Sequence, residues 1–329
     1  MRRREFIALF GGATAAWPLA ALGQQTAKVP RVGVLWHASN EQEEGVYFIS
    51  LRQGFSDLGY VEPKNIVLEH TYAAEQYERF NANATALVAR NVAVLIAVSL
   101  PAAVAAKRVT STVPIVFTAV PDPVDFGLVA SLAEPGGNIT GLTNISSEIV
   151  PKRIEIFKEA IPDLSRLALL VNPNNRAVSI RNIADTRSAA ERLNITVQTV
   201  EVRSPEDFEP AFEAIDRAHL QGVVTGNDPM IHNERNRIAE LAQARRLPTM
   251  VHNADMVEAG GLMTYAADSR DLFRRTPGYV DRILKGSKLA NLPVEQPTKF
   301  LFVVNLKTAK EIGVNIPSML LLRADKLIE

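Results

Sequence analysis

Short runs of aliphatic and β-branched residues alternate along this chain with longer segments of helical periodicity. Residues 31–36 are apolar after the first position and predict a first strand. Across residues 41–58, apolar side chains recur every three or four positions and predict a helix. Residues 92–98 are all apolar and predict a strand that is covered on both faces. This alternation is typical of βαβ units and therefore of a parallel sheet.

The same alternation starts again after residue 144 and continues as far as residue 251. The chain has 329 residues, which is more than one hydrophobic core usually serves. The sequence therefore predicts an α/β protein built from two doubly wound parallel-sheet lobes.

The end of the chain breaks this alternation. A strand is predicted at 262–265 and a helix at 271–285, and two extended segments follow. This order predicts a chain that crosses between the lobes near Asn144, Tyr265 and Thr298 and so forms a multi-crossover hinge. The expected division places residues 28–144 and about 266–298 in lobe 1, and residues 145–265 and about 299–329 in lobe 2.

Residues 1–23 have the composition of a signal peptide. Three arginines at positions 2–4 precede an apolar run, and the small residues Ala21 and Gly23 stand before Gln24. The apolar run is shorter than the about 20 residues that a membrane-spanning helix needs. We expect cleavage near Gly23 and Gln24, no membrane insertion of the mature chain, and a periplasmic location. Features of both the twin-arginine and the general secretory signal are present, so the export route stays open.

The chain has 36 basic and 36 acidic residues and no cysteine. The balanced charge argues against a nucleic-acid partner. The lack of cysteine excludes disulfides, thiolate metal sites, a cysteine nucleophile and a lipoprotein anchor. The motifs GxGxxG, GxSxG and HExxH and the Walker loop are absent from the sequence. We therefore expect a monomeric protein that binds a small-molecule ligand and has no enzymatic activity, cofactor or metal.

Ligands of open α/β sheets bind outside the carboxyl ends of the strands, where loops and helix N-termini meet. Polar residues follow the predicted strands of both lobes. Hydroxyl groups and helix N-terminal N–H groups suit a ligand carboxylate, and a buried aspartate suits an ammonium group. The predicted ligand-binding residues are Ser39, Ser99, Leu100, Thr118, Asp122, Asn172, Asn227, Asp228 and Tyr265.

Most of these candidates also have a purely structural interpretation. Those that precede predicted helices and are of types that cap helix N-termini are Ser39, Ser99 and Asp228. Asp122 lies between two prolines and Asn172 precedes a proline, as is typical of turns. Tyr265 lies at a predicted crossing and suits hinge packing as well as ligand contact. Both interpretations stay open on the sequence alone.

Several longer segments resemble those of one protein family. They are Pro-Ile-Val-Phe at 114–117, Gly-Leu-Val-Ala-Ser-Leu-Ala at 127–133, Pro-Gly-Gly-Asn-Ile-Thr-Gly at 135–141, Glu-Ala-Gly-Gly-Leu-Met-Thr-Tyr at 258–265 and Leu-Pro-Val-Glu-Gln-Pro-Thr-Lys-Phe at 292–300. Along essentially its whole length, the chain resembles the ABC transporter substrate-binding proteins whose known ligands are chiefly aromatic amino acids such as tryptophan and tyrosine.

This resemblance implies the type I periplasmic binding protein fold. It implies that a small amino-acid-like or aromatic ligand is captured in an interlobe cleft and delivered to an ABC permease with its ATPase. The same fold also serves ligand-sensing receptors that feed a membrane signalling protein, and this alternative stays open. The chain departs from the family at residues 99–101, where Ser-Leu-Pro replaces the usual Gly-Thr-Pro or Gly-Ser-Pro. The departure replaces a polar pocket group by an apolar one, so the sequence does not name the ligand.

Overall fold

The computed structural model describes residues 29–329, so the predicted signal peptide at residues 1–23 lies outside the described residues. Two β-sheets organise the chain, and the first has five parallel strands in the order β2-β1-β3-β4-β5. Its strands are β1 Arg31–Trp36, β2 Val67–Tyr72, β3 Val94–Val98, β4 Ile115–Val120 and β5 Ile139–Thr143. Strand β3 is buried along its whole length, as its unbroken apolar run predicts.

The helices that follow these strands are α1 Glu41–Glu44, α2 Val46–Asp57, α3 Tyr77–Ala89 and α4 Leu100–Val109. The prediction of one continuous helix over 41–58 is wrong at Gly45. This residue has a φ of 54°, which belongs to the left-handed region and separates α1 from α2. Asn40 caps α1, since its side chain accepts hydrogen bonds from the backbone N–H groups of Gln42 and Glu43.

The second sheet has seven strands in the order β12-β11-β10-β9-β8-β6-β7. They are β6 Arg166–Val171, β7 Thr196–Glu201, β8 Val223–Thr225, β9 Thr249–Met250, β10 Met263–Ala267, β11 Phe300–Asn305 and β12 Lys326–Ile328. Neighbouring strands are parallel except for β10 and β11, which pair antiparallel. The predicted class of two doubly wound sheets is confirmed, and the antiparallel pair is a refinement of it.

The remaining helices are α5 Val150–Ala160, α6 Arg176–Glu191, α7 Phe208–Arg217, α8 Pro229–Asn233, α9 Arg235–Ala244, α10 Ala254–Glu258, α11 Ser269–Leu284, α12 Leu306–Ile312 and α13 Ser318–Leu321. Short 3₁₀ turns occupy Pro205–Asp207 and Leu289–Asn291. Helices α8 and α9 are separated at Glu234, whose φ of −84° and ψ of 16° are not helical. Helix α10 has no counterpart in the sequence prediction.

Both sheets are covered on their two faces. The buried apolar residues of each sheet form two clusters, one on each face, with the helices packed over them. We call the first sheet with its helices the first lobe, and the second sheet with its helices the second lobe. No helix among residues 29–329 is long and apolar enough to cross a membrane.

The chain passes between the two lobes three times. It leaves the first sheet after β5 and leaves the second sheet after β10, because α11 packs against α2 of the first lobe. The contact is so close that a Cβ atom on Gly54 would lie 2.1 Å from the backbone oxygen of Arg274. Glu295 then pairs with β5 through Leu142 before the chain returns to the second sheet as β11. The exact residues at which the chain changes lobe, expected near 144, 265 and 298, remain a prediction.

Candidate functional site

A cleft separates the carboxyl ends of the strands of the two lobes, as the topology of open α/β sheets favours. Its cavity volume is about 60 Å³, which holds a few water molecules and is far below the roughly 300–1,000 Å³ of a typical ligand pocket. The lobes therefore lie close together in this arrangement. The lining residues are His37, Tyr47, Val98, Ser99, Leu100, Pro101, Ala119, Pro121, Asn144, Asn175, Val178, Asn227, Asp228, Pro229, His232, His252, Asn253, Ser269 and Phe273.

Ser99 supplies an unpaired hydroxyl to the first-lobe wall of the cleft. The residue is 8% exposed, and its Oγ is buried without a hydrogen-bond partner among residues 29–329. Ser99 stands just before α4, and its hydroxyl does not cap that helix. The first N–H groups of a helix lack partners within the helix and carry its positive dipole end. Ser99 Oγ and the N-terminus of α4 together offer hydrogen-bond donors at one point of the wall, which suits a ligand carboxylate.

The backbone of this wall is strained. Ser99, Ala119 and Asp122 have φ angles of 82°, 56° and 39°, in the left-handed region that residues other than glycine rarely adopt. Each such residue costs about 1–3 kcal/mol and persists where the surrounding structure holds it in place. Two of the three, Ser99 and Ala119, line the cleft. Such clustering is typical of a ligand-binding edge.

Asp228 supplies a buried carboxylate to the second-lobe wall. Its Oδ1 accepts hydrogen bonds from Asn172 Nδ2 at 3.1 Å and from the backbone of Met230 and Ile231, which caps α8. Its Oδ2 accepts one bond, from Asn175 Nδ2 at 3.0 Å. Burial raises the pKa of Asp228, although the hydrogen bonds from Asn175 and Asn172 oppose this shift. A carboxylate oxygen accepts two bonds readily, so Oδ2 keeps room for a donor from a ligand.

His37 lies between two glutamates on the first-lobe wall. Its Nδ1 is 2.7 Å from Glu75 Oε1, and its Nε2 is 3.3 Å from Glu44 Oε2. Burial lowers the pKa of His37, but the two carboxylates outweigh burial and raise this pKa to about 9. Burial raises the pKa of Glu75 to about 7 despite the neighbouring imidazole. His37 therefore carries a proton at neutral pH, and the two glutamates beside it balance its charge.

A row of aromatic rings lines the cleft near the hinge. The Phe273 and Tyr47 rings stack with centroids 4.8 Å apart and planes inclined by 14°. The Tyr47 ring lies 5.3 Å from that of His232, which lies 6.0 Å from that of His252. Burial holds the pKa of His252 well below its usual value, so this imidazole is neutral. Such a surface suits a flat, partly apolar ligand.

Four of the nine predicted ligand-binding residues line the cleft: Ser99, Leu100, Asn227 and Asp228. Asn172 lies behind the cleft lining, where its side-chain amide donates a hydrogen bond to Asp228. Asn227 donates from Nδ2 to Ser146 Oγ at 2.9 Å, close to the first crossing. The apolar side chain of Leu100 lies in the cleft lining next to Ser99.

The other four predicted residues lie outside the cleft lining. Ser39 is exposed, and Asn40 caps the helix in its place. Thr118 is completely buried and accepts a hydrogen bond from Thr276 Oγ1 of α11. The carboxylate of Asp122 accepts a hydrogen bond from Ser147 Oγ. Tyr265 stacks on the ring of Phe300, with centroids 6.0 Å apart, beside the hinge.

Sequence reasoning missed several cleft residues. His37 directly follows β1, so its position at a strand end was a usable signal. The strand-end rule gives no signal for Tyr47, which lines the cleft, or for Glu44 and Glu75, which contact His37 without lining the cleft. These three residues come from helices or a loop that fold back over the strand ends. Phe273 and Ser269 belong to α11, which only the second crossing brings to the cleft.

The two lobes, the three crossings and a cleft lined from both sides define a hinged small-molecule-binding protein. Residues 41–328 match the sequence model of the family described as "ABC transporter substrate binding protein". The chain belongs to this family. It is thus a solute-binding protein of an ABC transporter, and the family is one of binding proteins rather than enzymes.

Known relatives agree with this assignment. The chain is 23% identical over 264 residues to a tyrosine-binding protein of Clostridioides difficile (strain R20291), covering 80% of this chain and 75% of that protein. A conserved domain protein of Vibrio cholerae O1 biovar El Tor superposes with a TM-score of 0.84 at 27% identity, covering 91% of this chain and 100% of that one. The ABC domain of Streptococcus pneumoniae in complex with L-Trp has a TM-score of 0.83 at 24% identity, covering 91% and 99%.

Proposed function

We propose that this protein captures a zwitterionic amino acid with an aromatic side chain and delivers it to an ABC permease with its ATPase. The observation that carries the proposal is the opposite chemistry of the two cleft walls. The Ser99 hydroxyl and the N-terminus of α4 seek an acceptor, whereas Asp228 offers an acceptor for a donor. The carboxylate and ammonium groups of one amino acid satisfy both walls at once.

The aromatic rings and the relatives support the choice of side chain. Tyr47, His232, His252 and Phe273 make part of the cleft lining aromatic. One relative is named a tyrosine-binding protein, and a solved relative contains L-Trp. Leu100 adds an apolar contact on the first-lobe wall. These features favour tryptophan, tyrosine or phenylalanine over polar amino acids.

Capture requires the lobes to open and close. The free space of about 60 Å³ is too small to admit an aromatic amino acid without movement of the lobes. Three crossings allow a hinge motion with one dominant direction. Ligand binding and closure are therefore coupled, and the closed shape is what the permease recognises.

The periplasmic location is part of the same proposal. The arginines at positions 2–4 and the apolar run after them favour export, with the mature chain starting near Gln24. Mass spectrometry of the periplasmic fraction checks this start. A full-length chain that is found only in the cytoplasm contradicts it.

Calorimetry with truncated ligands tests the two-wall arrangement. L-tryptophan, L-tyrosine and L-phenylalanine are compared with tryptamine, which lacks the carboxylate, and with indole-3-propionate, which lacks the ammonium. We expect at least one of the amino acids to bind, and both truncated compounds to bind at least tenfold more weakly than L-tryptophan, because each leaves one wall unpaired. Equal binding of L-tryptophan and indole-3-propionate removes Asp228 from the ligand site.

A further inference from the structure

Polar contacts among Tyr47, Asp255 and His232 join the two lobes beside the cleft. Tyr47 Oη, on α2 of the first lobe, donates a hydrogen bond of 2.8 Å to Asp255 Oδ1, on α10 of the second lobe. Asp255 Oδ2 lies 3.0 Å from His232 Nε2 within the second lobe. Tyr47 and His232 line the cleft, and Asp255 lies behind them. A hinge motion that separates α2 from α10 must break the bond between Tyr47 and Asp255.

These three side chains are held in place before any ligand arrives. The side chain of Asp255 is 11% exposed and that of His232 is 6% exposed. Burial alone would raise the pKa of Asp255, but His232, Tyr47 and Arg235 outweigh burial and hold this pKa well below its usual value. The Tyr47 ring is packed between the rings of Phe273 and His232. The hydrogen bond thus runs from a fixed donor to a buried anion, the kind of bond that contributes most to stability.

We propose that Tyr47, Asp255 and His232 form an interlobe clasp that sets the ratio of closed to open protein and, through this ratio, the affinity for the ligand. The inference rests on the proposed function, in which closure accompanies capture. A ligand binds more tightly when the competent closed state is more populated, because less free energy is spent on closing the lobes. Asp255 acts here as a positioning residue, since the cleft residues stand between it and the ligand.

A surface ion pair provides a matched control. Arg270 of α11 lies 2.6 Å from Glu258 Oε2 of α10 and also joins the two lobes. The two side chains are 47% and 32% exposed, so water and salt weaken their attraction. Removal of this pair with Arg270→Ala is expected to change the closed-to-open ratio less than threefold.

The test measures the distance between the lobes directly. The chain has no cysteine, so spin labels attach only where cysteine is introduced. Val104→Cys on α4 and Ile180→Cys on α6 place one label on each lobe, at residues that are 36% and 58% exposed. Pulsed electron resonance then gives the fractions of open and closed protein, with and without L-tryptophan.

Tyr47→Phe keeps the ring and removes only the donor, and Asp255→Asn keeps the shape and removes the charge. We expect Tyr47→Phe to lower the closed-to-open ratio by about ten- to a hundredfold, and Asp255→Asn by a smaller factor, because its amide oxygen still accepts the bond. The double variant should resemble Tyr47→Phe, since both changes remove one interaction.

The labels also separate this inference from the proposed function. If none of the three aromatic amino acids binds, the proposed ligand class is wrong, while the ligand-free distances of the variants still judge the clasp. Open and closed fractions that are the same in the parent, Tyr47→Phe and Asp255→Asn overturn the clasp, as does an equal shift in Arg270→Ala. A shift in the ligand-free protein cannot come from a lost ligand contact and therefore supports it.

Discussion

The two walls of the cleft differ in how far their polar groups are already paired. On the second-lobe wall, Asp228 accepts four hydrogen bonds from its own lobe, so its position is fixed without a ligand. On the first-lobe wall, Ser99 has a strained backbone and a buried hydroxyl with no partner in the described part of the chain. Asp228 on the second wall is thus already hydrogen-bonded within the protein, whereas the Ser99 hydroxyl on the first wall is not. A substitution on the second wall therefore affects both folding and binding, whereas one on the first wall separates the two.

The largest effect is expected for Asp228→Asn. The amide removes the charge that faces a ligand ammonium, and its NH₂ group competes with the amide donors of Asn172 and Asn175. Binding should weaken by roughly ten- to a hundredfold, since a hydrogen bond to a charged group contributes about 1.5–3 kcal/mol. The unfolding temperature should also fall. Calorimetry and thermal unfolding of the same sample check both results, and unchanged binding would show that the second wall does not contact the ligand.

The next largest effect is a pH dependence of protein stability that comes from His37 on the first wall. His37 has a pKa raised from 6.5 to about 9 in the folded protein, so its contribution to stability is complete below pH 6.5 and is lost as the pH rises through 9. Between pH 7 and pH 9 the free energy of unfolding should fall by about 2 kcal/mol on this account. The neutral His252 of the second lobe contributes nothing in this range.

Urea denaturation of the parent and of the double variant His37→Gln, Glu75→Gln at the two pH values makes the comparison. Both residues are changed because Glu75, whose pKa is already raised to about 7 beside the imidazole, would titrate in the same range without it. The double variant should lose most of the pH dependence while keeping its fold. A parent and a variant with the same dependence would place the titrating group elsewhere.

Smaller effects are expected for Ser99→Gly, which should raise stability and weaken ligand binding. Glycine adopts a φ of 82° without strain, and the change removes a buried unpaired hydroxyl, so stability should rise by about 1 kcal/mol. Binding should weaken by about tenfold because the ligand carboxylate loses one donor. Denaturation and calorimetry measure the two effects. A variant that is more stable and binds equally well would remove Ser99 from the site.

The smallest effect is expected for Ser39→Ala, which serves as a reference. Ser39 is exposed and lies outside the cleft lining. Surface substitutions of this kind change stability by less than about 0.5 kcal/mol. A clear loss of affinity in this variant would mean that the cleft reaches further along the first lobe than Ser99 and His37.

The fold was predictable because hydrophobic periodicity follows strand and helix geometry closely. An error occurred where one residue breaks a periodic run, at Gly45, since the apolar pattern continues across this position. The antiparallel pairing of β10 and β11 depends on the direction in which the chain returns from the other lobe, and periodicity carries no information about this direction.

The candidate site was predictable only in part. The strand-end rule located Ser99 and Asp228, which directly follow strands or stand near their ends. It also selected Thr118, a residue within β4 whose side chain points to α11 and not to the cleft. Tyr47 and Glu75 reach the site from elements that fold over the strand ends, and their positions depend on tertiary packing.

A crystal structure of the protein with bound L-tryptophan, or with whichever aromatic amino acid binds most tightly, tests the central claim most directly. We predict that the ligand carboxylate lies within hydrogen-bond distance of Ser99 Oγ and the first N–H groups of α4, and that the ammonium lies within hydrogen-bond distance of Asp228 Oδ2. The ligand ring should lie against the row formed by Tyr47, His232 and Phe273. A ligand in the reverse orientation, or one bound outside this cleft, would contradict the two-wall account.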